Sequence, residues 1–264
     1  MVYFGSLFYY TDYSMIGDRR EKVYLIAGAM KGEIKATVGA LERAEEETWS
    51  HDRQHTTFSR GRLAGAELVV CRSGVGKILT AASLQYAIDR YSPSAVIFIG
   101  LAGALNPSFS IGDTLIAESC GQWDMDATRF GFKRGKTPYV SGNRFISSDP
   151  QLVAAAREAA GTSAMSGGSL HIGRLLSGDT FLTERNSGRF AFLTEEMHGD
   201  AVDMEGYAAA AVASLNSVPF VAIKMISDLA DGTVSIKLAP LLMRASRSFR
   251  DCVFHVLRSL SENK

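Results

Sequence analysis

Residues 201–232, AVDMEGYAAAAVASLNSVPFVAIKMISDLADG, decide the fold, because they join two acidic points through a helix and a buried strand. Asp203 and Glu205 stand at the mouth of an alanine-rich run, and the small, helix-favouring residues of 208–215 predict a close-packed helix. Ser217 and Pro219 stop it. Residues 220–226 are apolar except for Lys224, the pattern of a strand buried on both faces of a mainly parallel sheet. That strand delivers Ser227 and Asp228 to its carboxyl end, where open α/β sheets bind their ligands.

Working outward, KVYLIAGA (22–29) predicts the first buried strand, delivering Gly28, Met30 and Glu33 to its end, with a helix from near Lys31. Glu33 has two readings: a carboxylate favoured by the helix dipole in the first turn, or a site residue beyond a strand. ELVVCR (67–72) is a second strand, followed by SGVGK (73–77) and a helix to Tyr91. The glycine turn can bring backbone N–H groups to an oxygen-rich ligand. It lacks the third glycine of a dinucleotide fingerprint and the GK[ST] of a P-loop, so a tight turn with no ligand fits equally well. SAVIFIG (94–100) is the next buried strand, ending in the small residues Ala102, Gly103 and Ala104 after Leu101.

IGD (111–113) opens a region of shorter strands, and WDMDATRFGF (123–132) mixes acids with aromatics, as a rim loop or an interface does. Residues 148–160 predict a helix capped by Ser148 or Asp149, with Pro150 in its first turn. A strand region at 167–173 leads to SGDTF (177–181), where Phe181 either stacks on a base or packs into the core. Residues 236–260 form a closing amphipathic helix with Arg244, Arg247, Arg250 and Arg258 on a solvated face. The polar stretch 42–65 is a turn or peripheral hairpin; His51 and His55, spaced i and i+4, lack the further ligands of a metal site.

The 264 residues, 46% of them hydrophobic, suffice for a sizeable core and favour one domain over 22–264. Basic and acidic residues balance at 28 each, so nothing marks a nucleic-acid or membrane-surface partner. Three scattered cysteines, Cys71, Cys120 and Cys252, fit neither a disulfide framework nor a metal site, and suggest a reduced, cytoplasmic setting. Residues 1–21 read as an irregular arm, with Met15 as an alternative start, and resemble neither a secretion signal nor a membrane span.

Taken in order, GAMKGE, SGVGK, IGLAGAL, IGD, WDMDATRFGF, SGDTF, VDMEG and ISDLADG resemble the methylthioadenosine/S-adenosylhomocysteine nucleosidases, within the purine nucleoside phosphorylase-like superfamily. The resemblance runs from about Val23 to the C-terminus. It implies a single α/β domain with a mixed, largely buried, partly barrel-like sheet flanked by helices. It also implies hydrolysis of the N-glycosidic bond of a 5'-substituted adenosine without metal or organic cofactor.

By the same resemblance Asp228 is the general acid that protonates the purine, and Glu33 is the base that activates water. Adenine leaves poorly as an anion, and a partly desolvated carboxylic acid can supply its proton. Glu205 would accept the ribose hydroxyls, and its charge would favour oxocarbenium character in the sugar. Met204 would lie under the ribose, Phe181 would stack on the purine, and the backbone near Leu182 would read the base edge. Val75, Ala127, Phe130, Phe132 and Pro138 would line the pocket for the 5'-substituent, with small Ala127 leaving room for a bulkier group. Ala102, Gly103 and Ser227 fall at the strand ends beside this site. Phe130 and Pro138 would reach across the interface of a homodimer.

Two positions depart from the pattern: Leu101 replaces a usual serine or threonine, and Lys224, which by the resemblance would belong to the substrate-binding set, replaces the arginine common in bacterial enzymes. Phosphorylases of the superfamily need cations for phosphate, and one such position holds Phe98 here. A phosphate dianion is costly to desolvate without those partners, which favours hydrolysis. The alternatives are a nucleoside phosphorylase, a nucleosidase for another nucleoside, and a nucleoside-binding protein without activity.

Overall fold

Phe220–Asp228 forms a strand whose residues are all buried, and the rest of the sheet is arranged around it. The computed structural model describes residues 21–51, 54–138, 142–161, 168–232 and 238–262, so the expected arm falls outside the described residues almost entirely. In chain order the elements are β1 (Val23–Gly28), α1 (Lys31–Gly39), β2 (Glu42–His51), β3 (Gln54–Leu63), β4 (Ala66–Arg72), α2 (Lys77–Tyr91) and β5 (Ala95–Ala104). There follow β6 (Thr114–Gln122), β7 (Phe145–Ser147), α3 (Pro150–Gly161), β8 (Leu170–Ser177), α4 (Phe192–Glu195), β9 (Ala201–Asp203), α5 (Gly206–Leu215), β10 (Phe220–Asp228) and α6 (Leu238–Glu262).

β10 pairs parallel with β5 and antiparallel with β6, and the pairings β6–β8, β8–β9 and β9–β5 complete a closed ring. From β5 the sheet continues outward through β1, β4, β3 and β2. The fold is therefore a single α/β domain with a mixed, partly barrel-like sheet. Alternation along the strands fills two cores. Leu25, Ala27, Val96 and Phe98 face one that includes α2 and α5. Tyr24, Ile26, Ile97 and Ile99 face another that includes α1, α3 and α6. Both faces are buried, as the near-continuous apolar runs predict.

Local chemistry sets several boundaries. Asp149 caps α3, its Oδ1 accepting from the backbone N–H of Gln151 and Leu152 at 2.9 and 3.0 Å. Ser148 does not share that task, because its hydroxyl donates to the Ala117 carbonyl at 2.6 Å. The 42–65 region is a hairpin at the sheet's outer edge, where exposed charges discourage further pairing. His51 and His55 consequently stand in its two strands, not one turn apart on a helix.

β5 corrects a second expectation. The small residues after Gly100 do not lie beyond the strand but extend it to Ala104, because β10 and β9 pair on its two sides there. At two of these positions a side chain would force a site carboxylate to shift. A Cβ on Gly100 would lie 2.7 Å from Glu33 Oε1, and one on Gly103 would lie 2.8 Å from Asp228 Oδ1.

Candidate active site

Glu33 enters the site from the first turn of α1 and is buried. Its Oε2 accepts from the Met30 backbone N–H at 2.8 Å, and its Oε1 from that of Leu101 at 3.0 Å. It reaches back to its own helix start, as the first reading expects, and the same carboxylate is presented beyond β1. Burial pushes its pKa up, while Lys224 and the two backbone donors pull the other way.

Glu205 lies at the entrance to α5, where its Oε1 accepts from the Gly76 N–H at 2.8 Å. Burial, with Asp203 nearby, pushes its pKa up to about 7. The glycine turn spends its amides on the protein itself. Gly76 adopts φ +91°, open to glycine, and spends its amide on Glu205, while the Lys77 amide donates to Asp179 Oδ1 at 2.9 Å. These amides hold the protein's own carboxylates: buried Glu205 needs its donor most, while Asp179 stands exposed at the rim.

Asp228 ends β10. Its Oδ2 accepts from the Ser227 hydroxyl at 2.8 Å and its Oδ1 from the Ala230 N–H at 2.9 Å. Behind the cavity, Lys224 is only 1% exposed and lies 2.9 Å from Asp203 Oδ2, with its Nζ 4.3 Å from the Phe98 ring centroid. Burial disfavours its charge, yet Asp203, Glu33 and Glu205 together outweigh that and raise its pKa.

A cavity of about 240 Å³ collects these groups. Glu33, Glu205, Asp228, Met204, Phe181, Leu182, Val75, Ala102, Gly103 and Ser227 all line it, as does Leu101. Five expected residues do not. Lys224 is turned away by the strand's alternation, falling on the face of Ala222 and Phe98 and pairing with Asp203. Ala127 is buried outside the cavity, its carbonyl accepting from the Phe130 N–H. Phe132 lines a separate polar cavity with Lys133, Arg144 and Arg174. Phe130 is 80% exposed, and Pro138 also lies outside the cavity of this single chain.

Ala29, Thr180, Val202, Asp203 and Leu238 also line the cavity, without an assigned role from sequence. Asp203 had a signal, since it shares the VDME segment with Glu205; Leu238 had none, as it comes from a helix read only for its charged face. Among the described residues, no group of three or more His, Cys, Asp or Glu side chains is placed to hold a metal ion. Nor is any helix there long and apolar enough to cross a membrane.

Residues 23–257, which hold this ring-closed sheet and its helices, match the model of the phosphorylase superfamily. Over 235 residues the chain is 32% identical to the 5'-methylthioadenosine/S-adenosylhomocysteine nucleosidase of Staphylococcus carnosus, covering 89% of this chain and 99% of that one. The chain belongs to this nucleosidase family within the phosphorylase superfamily. The structure of the Neisseria meningitidis nucleosidase in complex with methylthio-immucillin-A superposes with a TM-score of 0.80 at 30% identity, covering 90% of this chain and 99% of that one. The Colwellia psychrerythraea nucleosidase in complex with adenine gives 0.81 at 28%, covering 91% and 96%.

Proposed function

We infer that this protein is a purine nucleosidase that hydrolyses the N-glycosidic bond of methylthioadenosine and S-adenosylhomocysteine, releasing adenine and the free ribose derivative. The observation that carries this reading is the convergence of Glu33, Glu205 and Asp228 on one largely apolar cavity. Asp228 donates the proton that lets adenine leave as a neutral base. Glu205, with one oxygen held by Gly76, offers the other to the ribose hydroxyls and stabilises positive charge developing on the sugar. Glu33, fixed by two backbone amides, removes the proton from the attacking water. Phe181, 57% exposed at the cavity, supplies a face for the purine. Residues 22–264 form the catalytic unit.

Phosphorolysis is the second reading, and the cavity lining argues against it. No lysine or arginine among the described residues lines it, and Lys224 behind it is engaged by Asp203. A homodimer fits the exposed Val75, Ile78 and Phe130, with Phe130 and Pro138 completing the 5'-pocket of a second copy, and the free, buried Cys71, Cys120 and Cys252 fit a reducing, cytoplasmic setting. Adenine release from methylthioadenosine by the purified protein in phosphate-free buffer tests the reaction; a strict requirement for phosphate overturns it. Asp228→Asn is expected to lower turnover by roughly 10²–10⁴, the range of one acid catalyst. Full turnover by that variant would remove Asp228 from the mechanism.

A further inference from the structure

Asp203 lies against the buried ammonium of Lys224, and Glu33 and Glu205 are close enough for their charges to act on it. The four groups arrive from four places in the chain: α1, the end of β9, the entrance of α5 and the middle of β10. Asp203 is the direct partner of Lys224, at 2.9 Å. It is also tied into the frame, with Oδ1 accepting from the Ser177 hydroxyl at 2.5 Å and both oxygens accepting from the Gly206 N–H at 3.1 and 2.9 Å. Glu33 approaches the same ammonium across Gly100, where a Cβ would meet Glu33 Oε1 at 2.7 Å and Lys224 Nζ at 3.0 Å. Glycine at 100 is thus what allows base and ammonium to share one space.

We propose that Asp203 and Lys224 are paired positioning residues: Lys224 is the shared counter-ion of Glu33 and Glu205, and Asp203 both fixes it and limits the positive field it delivers to them. The inference rests on the hydrolytic reading for its catalytic meaning, though not for its electrostatics. Three ionised carboxylates against one ammonium leave excess negative charge in a region of low dielectric, so the groups cannot ionise independently. The ammonium favours the ionised form of the base against the burial that opposes it. Its pairing with Asp203 prevents it from weakening that base further. The other ionisable groups near this cluster are Cys120 on β6, whose thiol burial pushes up, and Asp228 at the end of β10.

The pairing predicts opposite effects for two variants. Lys224→Met removes the cation, so Glu33 and Glu205 should titrate at higher pH than in the wild type. Asp203→Asn keeps the size of the side chain but frees the cation's field, so both should titrate at lower pH. Carboxyl titration of the free protein, labelled with ¹³C at glutamate side chains, reads this directly, beside pH–rate profiles for adenine release from methylthioadenosine. The expected result is midpoints displaced in opposite directions by at least about one pH unit, a tenfold change in ionised fraction, with the acid limb of kcat/KM following. Lys224→Arg should restore the wild-type midpoints.

Midpoints that stay in place, or that move in the same direction in both variants, would overturn the proposal. Should Lys224→Met fail to fold, Asp203→Asn and Lys224→Arg decide: a downward displacement in the first with wild-type midpoints in the second supports it, and any other pattern overturns it. The carboxyl titration needs no substrate, so its outcome is separate from whether methylthioadenosine is hydrolysed.

Discussion

Two lysines beside the pocket hold carboxylates in opposite surroundings. Lys224 and Asp203 have side chains only 1% and 2% exposed, whereas Lys77, at the rim, is 19% exposed against Asp124 at 24% and Asp179 at 47%. The rim cluster is geometrically as complete as the buried one. Lys77 Nζ lies 2.5 Å from Asp124 Oδ1, and the Asp179 N–H donates to Asp124 Oδ2 at 2.9 Å. What differs is the dielectric. Water screens the rim charges, so they tether the glycine turn to the SGDTF segment, while inside the site burial, with Asp203 beside it, displaces the pKa of Glu205 to about 7. Burial, more than the number of charged partners, makes one cluster a source of chemistry and the other a clasp.

The strongest way to break this contrast is Glu33→Gln, which keeps the shape of the buried cluster and removes its base. Adenine release should fall by roughly 10²–10⁴ with the fold retained. Wild-type turnover would show that the buried cluster does not supply the base. Next comes Gly100→Ala, whose methyl would intrude between Glu33 and Lys224. Overpacking there should cost about 1–3 kcal/mol in denaturant unfolding, together with much of the activity. An unchanged midpoint would mean that the two side chains move apart freely.

Glu205→Gln sharpens the same contrast through pH. Because the folded-state pKa lies at about 7, above the ordinary 4.5, the native protein holds this proton more tightly than the unfolded chain. That contribution to stability is complete below about pH 4.5 and is lost as pH rises through 7. The substituted amide has no proton to lose, so thermal unfolding of the variant at pH 8 should show stabilisation on the order of 2 kcal/mol over the wild type, and none at pH 4. Equal gains at both pH values would attribute the effect to packing. The smallest effect belongs to the rim. Lys77→Ala should cost about 0.2–1 kcal/mol at low ionic strength and less at high salt. A loss insensitive to salt would mean that the clasp is not electrostatic.

Much of the fold was legible because its strands are buried on both faces. Continuous apolar runs at β1, β4, β5 and β10 stand out from any helix pattern, and Asp149 and Pro150 mark the start of α3 with their own chemistry. β5 runs on past its apolar stretch because partner strands pair on both sides of small residues that by themselves suggest a turn. The candidate carboxylates Glu33, Glu205 and Asp228 were legible by type and by position at the ends of elements. Ala127, Phe132 and Lys224 were carried onto the pocket lining by resemblance, and a matching position in sequence does not specify which way a side chain turns.

By itself the sequence determined the main buried strands and the helices between them, since apolar runs and helix caps are local properties of the chain. It also determined which chemistry is available: acids at strand and helix ends, small residues between them, and no cationic set for phosphate. Only the tertiary structure decided how those groups are shared. The Gly76 amide holds Glu205 across 129 residues of chain, and the Leu101 amide holds Glu33 across 68. Lys224 faces Asp203 and not the cavity because β10 is locked between β5 and β6 in one register, which fixes the face that receives its side chain.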